Sequence, residues 1–150
     1  MKILMVCLGN ICRSPLAHGL LRSKVDDTIE VDSAGTGDWH AGEAPDQRMI
    51  RTARKHGVDI SDLRARQFAT EDFDRFDRIY AMDESNYQNI LKLARNDNDR
   101  EKVQMFLSIA GSNAPEEVPD PYFGGEDGFE HVYHLLDNAT DILAKELQNG

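Results

Sequence analysis

Apolar and polar positions follow two rhythms along the chain, short unbroken apolar runs and longer runs with three- and four-residue steps. Ile3 to Val6 ("ILMV") is continuous, as in a strand buried on both faces. Ser14-Pro15 then reads as a helix start, with serine at the cap and proline in the first helical position. Leu16, Leu20 and Leu21 give that helix an inward face. "TIEVDSAGTG" predicts a second strand that closes in a glycine loop, and Pro45 to His56 predicts a helix ended by Gly57. "FDRIYAM" predicts a third strand, with Asp83 capping a helix through "ESNYQNILKLA". "KVQMFLS" predicts a fourth strand. From about Gly128 onward, Val132, Leu135, Leu136, Ala139, Ile142, Leu143 and Leu147 fall on one helical face, which packs a core.

Strands that alternate with helices predict an α/β fold, a parallel sheet flanked by helices on both faces. Right-handed crossovers then put a ligand site beyond the C-terminal ends of the strands. Four strands are predicted. No repeat, linker or low-complexity tract divides the sequence, so residues 1–150 are expected to form a single domain.

The charge narrows the partners. Seventeen basic against 27 acidic residues leave a formal net charge of −10. Nucleic acid and anionic membranes are bound through basic patches, so neither is expected as a partner. An anionic substrate must be held by local groups against the overall field. No signal peptide or membrane-spanning stretch is visible, and the two cysteines, Cys7 and Cys12, make no disulfide framework. A cytoplasmic protein with free thiols is the expectation.

Those thiols sit in the most informative segment, "ILMVCLGNICRSPLA". A strand that leads through a short loop into a helix N-terminus makes an anion site from converging backbone N–H groups. Gly9 and Asn10 tolerate the left-handed conformations that such a nest needs. Arg13 adds a planar fork matched to two phosphate oxygens. The segment is not a Walker loop, because GxxxxGK is missing. Donors and positive charge also favour an ionised thiol, with Ser14 offering a hydroxyl to the sulfur. Cys7 in a CX5R loop therefore points to phosphoryl transfer through a phosphocysteine intermediate, with no metal or other cofactor required.

A departing alkoxide or phenolate needs a proton donor, and the water that follows needs a base. Composition does not choose among 27 acidic residues. Asp120 in "VPDPYFGGEDG" is the candidate, because its loop follows the fourth strand and reaches the same sheet edge as Cys7. An Asp-Pro turn is the plainer reading of the same residues. Tyr122 and Phe123 beside it form an aromatic wall for a flat substrate.

The sequence resembles the low-molecular-weight protein tyrosine phosphatases along nearly its whole length. "VCLGNICRSPLAHGLL" looks like their phosphate-binding loop and first helix, and "VDSAGTGDWHAGEAPD", "HGVDIS", "RARQF", "FDRIYAMDESN" and "DPYFGGEDGFEHVY" look like later family blocks in order. The resemblance implies the phosphotyrosine phosphatase I-like, flavodoxin-like three-layer fold and hydrolysis of phosphotyrosine in proteins. It also implies Cys7 as nucleophile, Arg13 as phosphate ligand, and Asp120 as general acid and then base. Asn10 and Ser14 would shape the loop, with Ser33 near Asn10. Leu8 and Ile11 would supply apolar wall, and Trp39, Tyr122 and Phe123 the aromatic rim. Cys12 matches a second loop cysteine, implying a reversible, redox-sensitive disulfide with Cys7. Inorganic phosphate would be product and inhibitor.

One departure and several rival functions follow from the same residues. Many members carry a histidine just before "ARQ", where this chain has "SDLRARQ", so that residue's role does not transfer. His56 matches the family's "HG" position as a hydrogen-bonded structural histidine. Thioredoxin-coupled arsenate reductases need later cysteines, and none follows Cys12. Protein arginine phosphatases of this fold typically carry threonine where Ile11 stands. A phosphoprotein-binding module without catalysis is disfavoured by the joint presence of Cys7, Arg13 and Asp120, and a flavodoxin-like nucleotide binder would show no thiol dependence.

Overall fold

The computed structural model describes residues 1–111, 115–122 and 125–149. The apolar run forms β1 (Lys2–Cys7), the centre of the molecule, and β2 (Glu30–Gly35), β3 (Arg78–Ala81) and β4 (Val103–Met105) join it in the order β2-β1-β3-β4. All pairings are parallel, with Cys7 opposite Gly35 and Val6 opposite Ala81. The chain leaves β1 for one side and returns on the other, so the strand order reverses at β1. That reversal opens a crevice at its C-terminal end, and the last residue there is Cys7.

Alternation along β1 divides the core in two. Ile3, Met5 and Cys7 pack with Leu16, Leu20, Met49, Val132, Leu136 and Leu143, under α1 (Arg13–Lys24), α2 (Gln47–Lys55) and the long α6 (Glu126–Asn149). Leu4 and Val6 face the other way, onto Phe68, Phe73, Ile79 and Ile90, where α3 (Asp72–Arg75), α4 (Glu84–Leu91) and α5 (Asp97–Glu101) lie. The three-layer α/β arrangement is therefore as expected. Among the described residues no helix is long and apolar enough to cross a membrane.

The boundaries differ where side chains are used for something else. Helix α1 starts at Arg13, and neither Ser14 nor the preceding Cys12 caps it by a side-chain hydrogen bond. Ser14 lies in the first turn with its hydroxyl committed to the loop below. Asp46 caps α2 through its carboxylate, and Gly57, at φ +82, carries the left-handed turn just past the C-cap His56. Strand β4 ends at Met105 because a 3-10 turn, Phe106–Ala110, begins there. Helices α3 and α5 were too short to leave a periodic signal.

Candidate active site

The loop between β1 and α1 is pinned to the neighbouring strand exit. Thr36 N–H donates to the Cys7 carbonyl at 2.9 Å, Gly37 N–H to Leu8 at 2.9 Å, and Asp46 N–H to Ile11 at 2.8 Å. Gly35 is required by this approach, because a Cβ there would stand 2.8 Å from the Leu8 oxygen and 3.1 Å from the Asn10 nitrogen. Asn10 takes the left-handed conformation expected of it, φ 57. Its side chain then spans the loop. Nδ2 donates to Ser14 Oγ at 2.7 Å, and Oδ1 accepts the Arg66 N–H at 3.0 Å.

These constraints converge on Cys7 Sγ. The Asn10 backbone N–H donates to it at 3.3 Å, and Ser14 Oγ lies 3.0 Å away. The Ser14 oxygen accepts from Asn10, and its own proton can be given to Cys7 Sγ at 3.0 Å or to the Ala34 carbonyl at 3.4 Å. The buried Arg13 guanidinium is held through one nitrogen, which donates to Asp83 Oδ2 at 2.6 Å and to the Val118 carbonyl at 3.1 Å. Burial opposes its charge, but Cys7, Asp83 and Asp120 around it raise the guanidinium pKa above its ordinary value. The second nitrogen is 3.6 Å from Asp120 Oδ2. Asp120 accepts the Tyr122 N–H at 3.1 Å and is otherwise well exposed.

A cleft of about 150 Å³ opens above the sulfur. Cys7, Cys12 and Arg13 line it with Gly9, Leu8 and Ile11, and Asp120, Trp39 and Tyr122 stand on it too. Leu8, Trp39 and Tyr122 are among the few large hydrophobic side chains left exposed among the described residues. Phe123 lies outside the described residues. Cys12 is buried, and burial first, then Asp46, Cys7 and Asp120, push its thiol pKa far up, with Arg48 partly opposing.

Some residues at the site were missed by the sequence reading. Asp83 was read only as a helix cap. It does cap α4, accepting the Asn86 N–H at 2.8 Å with one oxygen, while the other holds Arg13. Arg66 tethers Asn10 by its backbone, while its guanidinium bridges Asp32 and the buried Asp72, each at 3.0 Å. His40 lies on the cleft wall, where a Cβ on Gly9 would come within 3.1 Å of its ring; its adjacency to Trp39 was the available signal. Arg48 donates to the Tyr122 carbonyl at 2.8 Å. Ser33, expected near Asn10, has its hydroxyl 3.0 Å from His18 Nδ1 on α1. His56 is hydrogen-bonded as expected, to Glu130 at 3.0 Å.

The profile of the family "Low molecular weight phosphotyrosine protein phosphatase" matches residues 2–150. The chain belongs to that family. The low molecular weight phosphotyrosine protein phosphatase of Schizosaccharomyces pombe is 42% identical, over 95% of this chain and 94% of that one. The low molecular weight protein-tyrosine-phosphatase of Streptomyces coelicolor is 40% identical, over 95% and 92%. A crystal structure of the protein tyrosine phosphatase from Entamoeba histolytica with Hepes in the active site superposes with a TM-score of 0.92 at 36% identity, covering 100% of this chain and 98% of that one. A product-state mimic of the Entamoeba histolytica protein tyrosine phosphatase superposes with a TM-score of 0.90. As a member of the family, the chain is a protein-tyrosine phosphatase, a hydrolase.

Proposed function

We propose that Cys7, Arg13 and Asp120 carry this activity on phosphotyrosine in protein substrates. The supporting observation is the convergence of the Asn10 N–H, at 3.3 Å, and the Ser14 hydroxyl, at 3.0 Å, on Cys7 Sγ at the base of the cleft. The Cys7 thiolate attacks phosphorus, forming the S–P bond as the P–O bond to the tyrosine ring breaks. The protonated Asp120 carboxyl gives its proton to the departing phenolate oxygen. Loop N–H groups and Arg13 hold the three non-bridging oxygens as charge builds on them. Water then attacks phosphorus, Asp120 takes its proton, the S–P bond breaks, and phosphate leaves with Cys7 again a thiolate.

Arg13 and Asp120 stand 3.6 Å apart across the space that a phosphate would occupy. Substrate entry therefore displaces Asp120 from the guanidinium toward the leaving oxygen. Leu8, Ile11, Trp39 and Tyr122 raise the walls, so that a long aromatic phosphomonoester reaches the sulfur more readily than a short aliphatic one. The net charge of −10 leaves nucleic acid and anionic membranes as poor partners, and inorganic phosphate acts as product and competitive inhibitor.

The test is hydrolysis of matched phosphotyrosine, phosphoserine and phosphoarginine peptides in EDTA, with Cys7→Ser as control. Turnover of the phosphotyrosine peptide that depends on Cys7 and survives EDTA is expected. Preference for phosphoarginine would keep the nucleophile and overturn the reading of Ile11. Substantial turnover by Cys7→Ser would remove Cys7 from the mechanism.

A further inference from the structure

Helix α2 begins beside the cleft at Asp46, and its nine residues carry the chain about 14 Å to His56. There a second group of side chains converges, with no part in the chemistry above. Glu130 and His134 lie one turn apart on α6, on the same face of the helix. His56 Nε2 is 3.0 Å from Glu130 Oε2, and His134 Nε2 is 3.6 Å from that same oxygen. The three ligand atoms all fall within 4.8 Å of one another.

Those separations are informative. Two bonds of about 2.0–2.1 Å meeting at a tetrahedral zinc place their ligand atoms about 3.3 Å apart, between the two distances observed. A structural histidine–glutamate hydrogen bond requires one imidazole. A second imidazole aimed at the same carboxylate oxygen supplies the remaining donor of a facial set. Two imidazoles and a carboxylate suit zinc and its first-row neighbours better than calcium or magnesium. The set is also held in advance of any ion. The His56 ring stacks on Tyr133 at 3.9 Å with 13° between planes, and His134 meets His56 edge-on at 5.6 Å. The ligands come from the end of one helix and the side of another that packs against it.

We propose that His56, Glu130 and His134 form a binding site for a divalent transition metal of the zinc class, with water as the fourth ligand. The ion ties the end of α2 to α6. It stabilises the fold, and its distance from Cys7 gives it no step in hydrolysis.

The test is titration of the full chain with Zn2+ alone, by calorimetry and by thermal unfolding, alongside Cys7→Ser and His134→Ala. His134 is mostly exposed, so its replacement is compatible with folding. One equivalent should bind to the wild type and to Cys7→Ser and raise Tm in both. His134→Ala should lose about tenfold or more in affinity, the scale at which even outer-shell partners of a metal matter. Co2+ should give visible d–d bands without a thiolate charge-transfer band. Equal affinity in His134→Ala, loss of binding in Cys7→Ser, a thiolate band, or no binding would each overturn the assignment.

Discussion

Two segments face each other across the cleft, and they are built in opposite ways. The segment from Cys7 to Arg13 is buried apart from Leu8 and Gly9, and its polar atoms are fastened from several directions: Thr36, Gly37 and Asp46 hold its backbone, Arg66 holds Asn10, and Asp83 holds Arg13. The segment from Val118 to Tyr122 is mostly exposed. Val118 N–H reaches Met82 at 2.8 Å and Arg48 grips the Tyr122 carbonyl, with Asp120 between them on the surface. A nucleophile and its anion cradle work best when no reorganisation is left for the moment of reaction. A proton donor that must first serve the leaving group and then the water has to shift between positions. Burial suits the first task and exposure the second.

The sharpest way to break the fixed side is Cys7→Ser. A hydroxyl in place of the thiol keeps the cradle and removes the nucleophile, so steady-state turnover should fall to background while phosphate still binds. Phosphate affinity and turnover measured on one preparation separate these. Loss of both together would mean that the cradle had collapsed, and the experiment would then say nothing for the nucleophile.

On the exposed side, Asp120→Ala should cost roughly 10²–10³ in kcat for a phenyl phosphate with a poor leaving group. A substrate whose phenolate leaves without protonation should lose much less. The comparison needs both substrates, because equal losses would remove Asp120 from acid catalysis. A smaller effect is expected back in the cradle. Ser14→Ala deletes one donor to the proposed thiolate, and a hydrogen bond to a charged group is worth about 1.5–3 kcal/mol. Turnover should slow about 10- to 150-fold, without the leaving-group dependence. A Ser14→Ala enzyme of unchanged rate would leave Asn10 N–H as the sulfur's sole important donor.

The same contrast explains what could be read before the fold was known. Strand β1, the left-handed turn at Asn10, and Arg13 were legible because they are close in sequence and each residue type carries its own reason. Gly9, expected to share that conformation, does not take a positive φ. The long helix was legible from its stripe. Ser14 was read both as a helix cap and as a hydroxyl offered to the sulfur. The cap is not made, and its Oγ lies 3.0 Å from Cys7 Sγ. No local pattern says which of the two a serine at a helix start will serve. Asp83 and Arg66 touch the loop across 70 and 56 residues respectively, separations at which spacing carries no signal. Asp120 was one acid among 27; the position of its loop made it a candidate with an Asp-Pro turn the plainer reading, and the resemblance to known phosphatases assigned it the acid role.

The last effect concerns stability and not turnover, and it lies behind the rigid side. His18, on α1, is buried with its Nδ1 3.0 Å from Ser33 on β2. Burial pushes its imidazole down to about 4, and Arg22 and Arg66 push the same way against Asp32 and Asp62. The folded protein thus keeps His18 neutral under conditions where the unfolded chain, with an ordinary value near 6.5, takes up a proton. Above about pH 6.5 neither state is protonated there and His18 adds no pH dependence. As pH falls from about 6.5 toward 4, the unfolded state gains a proton that the folded state refuses, and stability drops by up to about 3 kcal/mol. His18→Gln keeps a neutral hydrogen-bonding side chain and has nothing to titrate. Urea unfolding of both proteins at pH 7 and pH 4.5 isolates the effect, since carboxylate titrations common to both cancel in the difference. The wild type should lose about 2 kcal/mol more than the variant over that interval. Parallel losses would show that His18 accepts its proton while folded, and the helix–strand contact behind the cradle would then be less rigid than its burial indicates.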